Sequence, residues 1–146
     1  MKKLRMALPL LPALLLAGCF HSAAVSVVQN MYEAALVENE ELVEAYIDEN
    51  YLEDKSLEEI TEELAADARK MQGVKSMNIT EHTASHLNEN LTEEMDASYG
   101  DNWHYIVAQT GEDSIMTWIL LKGETQYYIM DGQKVSVEEY NKEILK

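Results

Sequence analysis

The side chains able to do chemistry in this sequence are few and scattered. His82 and His86 stand four apart with Glu81 and Glu89 close by, the spacing at which two imidazoles on one helix face share a zinc ion. The surrounding residues instead favour a strand running into a loop, where four residues span about 13 Å, too far for one metal. The pair therefore reads as two solvated histidines. Asp101 and His104 offer a carboxylate and an imidazole for acid–base work, but Asp101 falls in a turn, and a lone His in a strand is more often a polar-face residue than a base. Ser/His/Asp nucleophile motifs, phosphate-cradling glycine loops, Cys-x-x-Cys pairs and Asp-x-Asp-x-Asp-Gly calcium loops are absent from the sequence. No catalytic set, metal or cofactor is expected, and binding is favoured over catalysis.

The single thiol, Cys19, has a clearer context. Met1, Lys2, Lys3, Leu4 and Arg5 form a basic head, and from Met6 to Ala17 the chain is apolar apart from Pro9 and Pro12. That run is too short to span a bilayer comfortably and reads as a secretory signal peptide. Leu15-Leu16-Ala17-Gly18-Cys19 resembles the bacterial lipobox. The resemblance implies a diacylglyceryl group on the Cys19 thiol and cleavage before it, with the thiolate as nucleophile and two acyl chains sufficient for stable anchoring. The alternatives are an uncleaved anchor or an ordinary secretory peptide. The expected organisation is a cleaved lipoprotein signal peptide over 1–18, a lipidated tether over 19–22 and a single domain over 23–146. That domain would sit on the extracytoplasmic face of a bacterial membrane, inner or outer. Residues 20–22 reach about 10 Å when extended, so it works near the membrane surface. With no second cysteine there is no internal disulfide, and the fold rests on its core. Asn78-Ile79-Thr80 and Asn90-Leu91-Thr92 match a glycosylation pattern that a bacterial lipobox makes irrelevant.

Of the 146 residues, 27 are Asp or Glu and 11 Lys or Arg. The first eighteen hold three of those bases and no acid, leaving 8 bases against all 27 acids beyond them. Such a body lacks the basic footprint that phosphate backbones require, which excludes nucleic-acid binding. Glu38, Glu40, Glu41, Glu44, Glu58, Glu59, Glu62 and Glu63 belong to outer helix faces, either as solvated surface or as an acidic face for a basic partner or divalent cations.

The elements that must position these groups are helices first and strands after. Ser22 caps a helix whose Val25, Val28, Met31, Tyr32, Ala35 and Leu36 share a face. Asn39 caps a second, with Leu42, Tyr46 and Ile47 inward and an end near Tyr51. Ser56-Leu57-Glu58-Glu59 opens a third, with Leu57, Ile60, Leu64, Ala68 and Met71 in a stripe and Gly73 as its stop. Met77 and Ile79 alternate as in a strand, and a short helix capped by Asn90 covers Leu91 to Tyr99. Trp103–Thr110, Ser114–Leu121 and Thr125–Met130 form an antiparallel meander. Asp131-Gly132 is then a turn, and Ser136 caps a last helix carrying Val137, Tyr140 and Ile144. The expected fold class is α+β, with N-terminal helices packed on a curved antiparallel sheet and a short C-terminal helix.

The strand Ser114–Leu121 is apolar on both faces, Ile115, Ile119 and Leu121 on one and Met116, Trp118 and Leu120 on the other. One face packs on the helices. The other is either covered by the C-terminal helix or the sheet's own curvature, or open, so that Met116, Trp118, Tyr128 and Met130 line a concave pocket or a protein contact.

Val27-Val28, Met31-Tyr32-Glu33-Ala34 and Asn39-Glu40-Glu41-Leu42 resemble the opening helix pair of small bacterial lipoproteins of the nuclear-transport-factor-2-like or cystatin-like fold. Tyr99-Gly100-Asp101-Asn102-Trp103, Thr117-Trp118-Ile119-Leu120 and Tyr127-Tyr128-Ile129-Met130-Asp131-Gly132 are similar to later segments of such proteins. Asp131-Gly132-Gln133-Lys134 departs from the usual Gly-Lys-Trp-like ending. Such lipoproteins have no characterised function; the missing catalytic set, the short tether and the two-faced aromatic sheet are what point to a lipid-anchored envelope protein that binds an envelope protein or a small ligand. The alternative is a concave-pocket binder or enzyme of the isomerase, dehydratase or cyclase type. Its motifs are packing motifs, which specify fold better than activity.

Overall fold

A computed structural model describes residues 22–146; the segment read as a signal peptide, Cys19 and most of the expected tether lie outside the described residues. The chain runs α1 (Ala23–Leu36), α2 (Glu40–Ala45), α3 (Glu49–Leu52), α4 (Leu57–Lys70), β1 (Thr80–His82), α5 (Glu89–Tyr99), β2 (Trp103–Gln109), β3 (Ser114–Lys122), β4 (Tyr127–Ser136) and α6 (Val137–Glu139), the last continuing into a π-helical turn, Tyr140–Ile144. The strands form an open antiparallel meander in the order β1-β2-β3-β4. The architecture is α+β, as the order of periodicities predicts. None of the described helices is long and apolar enough to cross a membrane.

The helix starts follow local chemistry. Ser22 Oγ accepts from the Val25 amide at 3.2 Å, Asn39 Oδ1 from Leu42 at 3.1 Å and Ser56 Oγ from Glu59 at 3.4 Å, each satisfying a donor that the first turn leaves unpaired. Two helix ends differ from expectation. Past α4, Gln72 takes the left-handed conformation, and the Gly73 amide reaches back to the Ala68 carbonyl at 2.9 Å, so the stop is shared between them. The helix expected to run from Asn39 to Tyr51 is instead broken. Ile129 of β4 exchanges hydrogen bonds with the Tyr46 carbonyl (2.9 Å) and the Asp48 amide (2.8 Å), drawing 46–48 onto the sheet edge, and Asp48 then caps α3. Within α2 it is Val43, not Leu42, that is buried, and Leu42 is exposed; Ile47 is buried as expected.

Three further segments differ. Val74–Met77 is a 3-10 turn followed by left-handed Asn78, burying Met77 and Ile79 without a strand. Asn88, not Asn90, caps α5, accepting from the Asn90 amide at 2.9 Å. Most consequential, Asp131-Gly132 is not a turn, because β4 continues through it to Ser136. The register shifts between Ile119 and Leu120, which pair with Asp131 and Ile129, leaving Met130 as the extra residue of a bulge. Gly132 pairs with Trp118, and a Cβ there would lie 2.3 Å from the indole ring. Glycine is needed for close approach of the ring, not for a turn.

Both sheet faces are covered, and the two cores are separate. Ile106, Ala108, Met116, Trp118, Leu120 and Ile129 pack under α1 and α4 with Val28, Met31, Tyr32 and Leu64. On the opposite face Tyr105, Val107, Ile119 and Val135 pack with Leu87, Met95, Tyr140 and Ile144. The C-terminal helix is thus a cover, as one of the sequence readings has it, but it covers the Ile119 face together with α5.

Candidate functional site

The strongest candidate lies where α3 and α4 diverge from the β3–β4 half of the sheet. Ser56 sets the start of α4, and the helix then presents Ile60, Glu63, Leu64 and Asp67 toward the strands. Opposite them stand Met116, Trp118, Gly132 and Lys134, and Tyr51 and Lys55 close one end around a cleft of about 380 Å³. That volume is within the range of small-molecule sites.

Trp118 forms the floor and is only 1% exposed. Its Nε1 donates to the Tyr32 hydroxyl at 3.3 Å, and its ring meets those of Tyr32 and Tyr51 edge-on, both with centroids at 6.3 Å. Burial raises the Tyr32 phenol far above its ordinary pKa, so the hydroxyl stays neutral. The rim is charged. Lys134 Nζ pairs with Asp67 at 2.8 Å, bridging β4 to α4. The Lys55 ammonium lies 4.8 Å from the Tyr51 ring centroid and 3.2 Å from its hydroxyl, and that hydrogen bond raises its pKa above the ordinary lysine value. An apolar, aromatic floor under two ammonium groups suits a compact ligand with an apolar body and a polar end.

The structure brings together two of the four residues read from the sequence as a pocket or contact. Met116 and Trp118 share the cleft. Tyr128 pairs with Leu121, in the rows of the opposite face, and borders a separate shallow cleft with Glu44, Ile47 and Leu52; Met130 sits half-buried in the bulge. The four therefore do not line one concave surface, because the bulge breaks the strict alternation on which that grouping rests. Sequence reasoning missed Tyr51, Lys55, Asp67 and Lys134. The available signal was that Lys55 and Lys134 are two of the few cations in a strongly acidic body.

The histidines are also rearranged. His82 and His86 are not far apart: a 3-10 turn, Ala84–His86, folds the chain back and brings their ring centroids to 6.3 Å. Among the described residues no group of three His, Cys, Asp or Glu could hold a metal ion. His82 Nε2 shares a hydrogen bond with the Tyr140 hydroxyl, and burial, helped by neighbouring His86, lowers its pKa. His104 pairs not with Asp101 but with Glu81, Nδ1 to Oε1 at 2.5 Å, across β1 and β2. Its ring stands edge-on to Tyr127 at 4.9 Å.

Comparison with protein families, with curated proteins and with solved structures finds no match to this chain.

Proposed function

We propose that this chain is a lipid-anchored envelope protein of a bacterium whose folded domain binds a ligand or docks a partner through the Trp118 cleft. The anchoring half of the proposal rests on Leu15-Leu16-Ala17-Gly18-Cys19 behind a basic, then apolar, N-terminus. The binding half rests on one observation: the cleft of about 380 Å³ keeps Met116 and Trp118 at its floor although the rest of that sheet face is packed under helices. Helices α1 and α4 packed on one face of an open four-stranded antiparallel meander are in keeping with a cystatin-like or nuclear-transport-factor-2-like arrangement.

A second reading has one specific observation behind it. With Glu81 accepting from His104 Nδ1–H, Nε2 is left as a proton acceptor, the arrangement that a carboxylate and imidazole use in general-base catalysis. Side-chain exposures of 29% for His104 and 25% for Glu81 make the pair a wet one, which favours binding over isomerase, dehydratase or cyclase chemistry.

The test is native mass spectrometry of the full chain extracted gently from its own membranes. Lipid mass on Cys19, lost in Cys19→Ser together with membrane retention, supports the anchor. A retained small molecule or a stoichiometric polypeptide, removed by Glu63→Trp at the cleft mouth with the thermal midpoint little changed, supports the cleft. A bare, unlipidated chain, or a companion indifferent to Glu63→Trp, overturns the corresponding half.

A further inference from the structure

Charge is distributed unevenly along this domain. From Glu33 to Glu63, through the α1–α2 turn, α2, α3 and the first half of α4, the chain holds thirteen acids and one cation, Lys55. From Ala68 to Thr80 it holds Arg69, Lys70 and Lys75 and no acid, and Ser22–Tyr32 is uncharged. The fold sets the two kinds of segment at opposite ends. Ala35 and Glu38, at the end of α1, lie beside Glu58 and Glu62, at the start of α4, so the two packed helices run antiparallel. The end of α4 therefore lies beside the first half of α1, and the Val74–Met77 turn that follows also packs on α1. Asn78 Nδ2 donates to Gln109 Oε1 at 3.2 Å, fixing that turn to the end of β2. Arg69, Lys70 and Lys75 are exposed, and none of them is in an ion pair among the described residues. Glu112 and Asp113 of the β2–β3 turn stand beside Lys70, while Glu138 and Glu139 open α6 on the opposite sheet face. The end where α1 begins thus sets three cations against two acids, and the end where it stops is overwhelmingly acidic.

We propose that the domain stands on its membrane on the first of these ends, with Lys70 and Lys75 against the headgroups of anionic phospholipids and the α1–α2 turn pointing away. This orientation requires the lipid anchor proposed above. Cys19 is three residues from Ser22, a reach of about 10 Å, so the start of α1 stays beside the lipid that Cys19 carries. An anionic surface attracts cations that lie within a screening length of it, about 8 Å at physiological salt. Helix α1, 14 residues long, holds its two ends about 21 Å apart, which puts the acidic end outside that field when the domain is upright. A domain lying on α2 and α4 would instead press its acids onto like-charged headgroups. Standing upright, it leaves Tyr51 and Lys55, at the end of the Trp118 cleft, facing away from the membrane.

The test is electron paramagnetic resonance of the protein purified from its own membranes and placed in vesicles of phosphatidylcholine with or without phosphatidylglycerol, doped with a lipid that bears a gadolinium chelate on its headgroup. Nitroxides are attached one at a time through Ser76→Cys, at the cationic end, and Val37→Cys, at the acidic end, both exposed positions. Relaxation by gadolinium should be several-fold stronger at position 76 than at position 37 in vesicles that contain phosphatidylglycerol. Lys70→Gln with Lys75→Gln, or omission of phosphatidylglycerol, should shrink that difference. Lys122→Gln with Lys142→Gln, the same loss of charge elsewhere on the surface, should leave it unchanged. Equal relaxation at the two positions, a difference indifferent to phosphatidylglycerol and to Lys70 and Lys75, or an equal loss in the Lys122 and Lys142 control would each overturn the orientation while leaving the anchor in place. A chain that carries no lipid mass on Cys19 and does not float with the vesicles removes the anchor and the orientation together.

Discussion

The two faces of the sheet are built differently. Under α1 and α4, groups remote in sequence interlock: Trp118 and Tyr32 are 86 residues apart yet share a hydrogen bond and an edge-on ring contact, and Gly132 exists as glycine to admit the indole. The opposite face is closed by shorter pieces. Met95 is the only buried residue of α5, and Tyr140 and Ile144, each 8% exposed, come from the chain's last helical turns. At its margin, polar contacts such as Tyr140–His82 and Trp103 Nε1 to Asp96 at 2.7 Å fasten those pieces. Large interlocked side chains resist local opening, whereas a thin cover held by edge hydrogen bonds opens more readily. The first face is thus the rigid scaffold of the cleft, and the second is the half expected to loosen first.

The comparison breaks most severely at Trp118. Trp118→Ala leaves a cavity and strands the Tyr32 hydroxyl, so a loss of about 4 kcal/mol is expected in urea unfolding. An unchanged stability would remove Trp118 from the core. Gly132→Ala drives a Cβ into the same ring, and an overpacking cost of about 3 kcal/mol should appear as a lower denaturation midpoint. On the second face Ile144→Ala should cost about 2 kcal/mol, the low end for aliphatic truncation. In that variant, hydrogen exchange should quicken in α5 and the C-terminal turn well before α1; uniform exchange would dissolve the distinction between faces.

The smallest expected effect is a pH response. The folded protein holds the pKa of His82 below its ordinary value of 6.5. Below pH 6.5 the unfolded chain therefore binds a proton that the folded chain resists, and stability falls as pH drops toward the folded pKa. Acidification from pH 7 to 5 should lower the thermal midpoint through this group, and His82→Gln should flatten that part of the profile. A steeper fall in His82→Gln would mean that the pairing with Tyr140 favours the protonated ring instead.

Local chemistry made much of this readable. Ser22, Asn39, Ser56 and Ser136 cap the helices at which they stand, because a cap is a contact within three residues; Ser136 Oγ accepts from Glu139 at 3.0 Å just as its spacing suggests. The meander followed from its runs of β-branched and aromatic residues and the short stretches between them. Asp131-Gly132 misled because the same dipeptide serves a turn or a close approach, and the approaching group lies fourteen residues away in Trp118. The His82–His86 separation was overestimated because the fold-back between them is a turn, not extended chain. In the candidate site, Met116 and Trp118 were legible from strand alternation, while the bulge at Met130 shifted Tyr128 to other company.

What the sequence alone determined is the α+β order of elements, the caps at Ser22, Asn39, Ser56 and Ser136, the acidic body, the two apolar sheet faces and the lipobox-like N-terminus, all written in neighbours or short periods. Tertiary structure decided which face meets which helices, the splitting of α2 from α3 by Ile129, the passage of β4 through Gly132, and the meeting of Trp118, Lys55 and Lys134 at one cleft. Those outcomes depend on contacts between distant residues, whose energies outweigh local preference and leave no periodic trace in the chain.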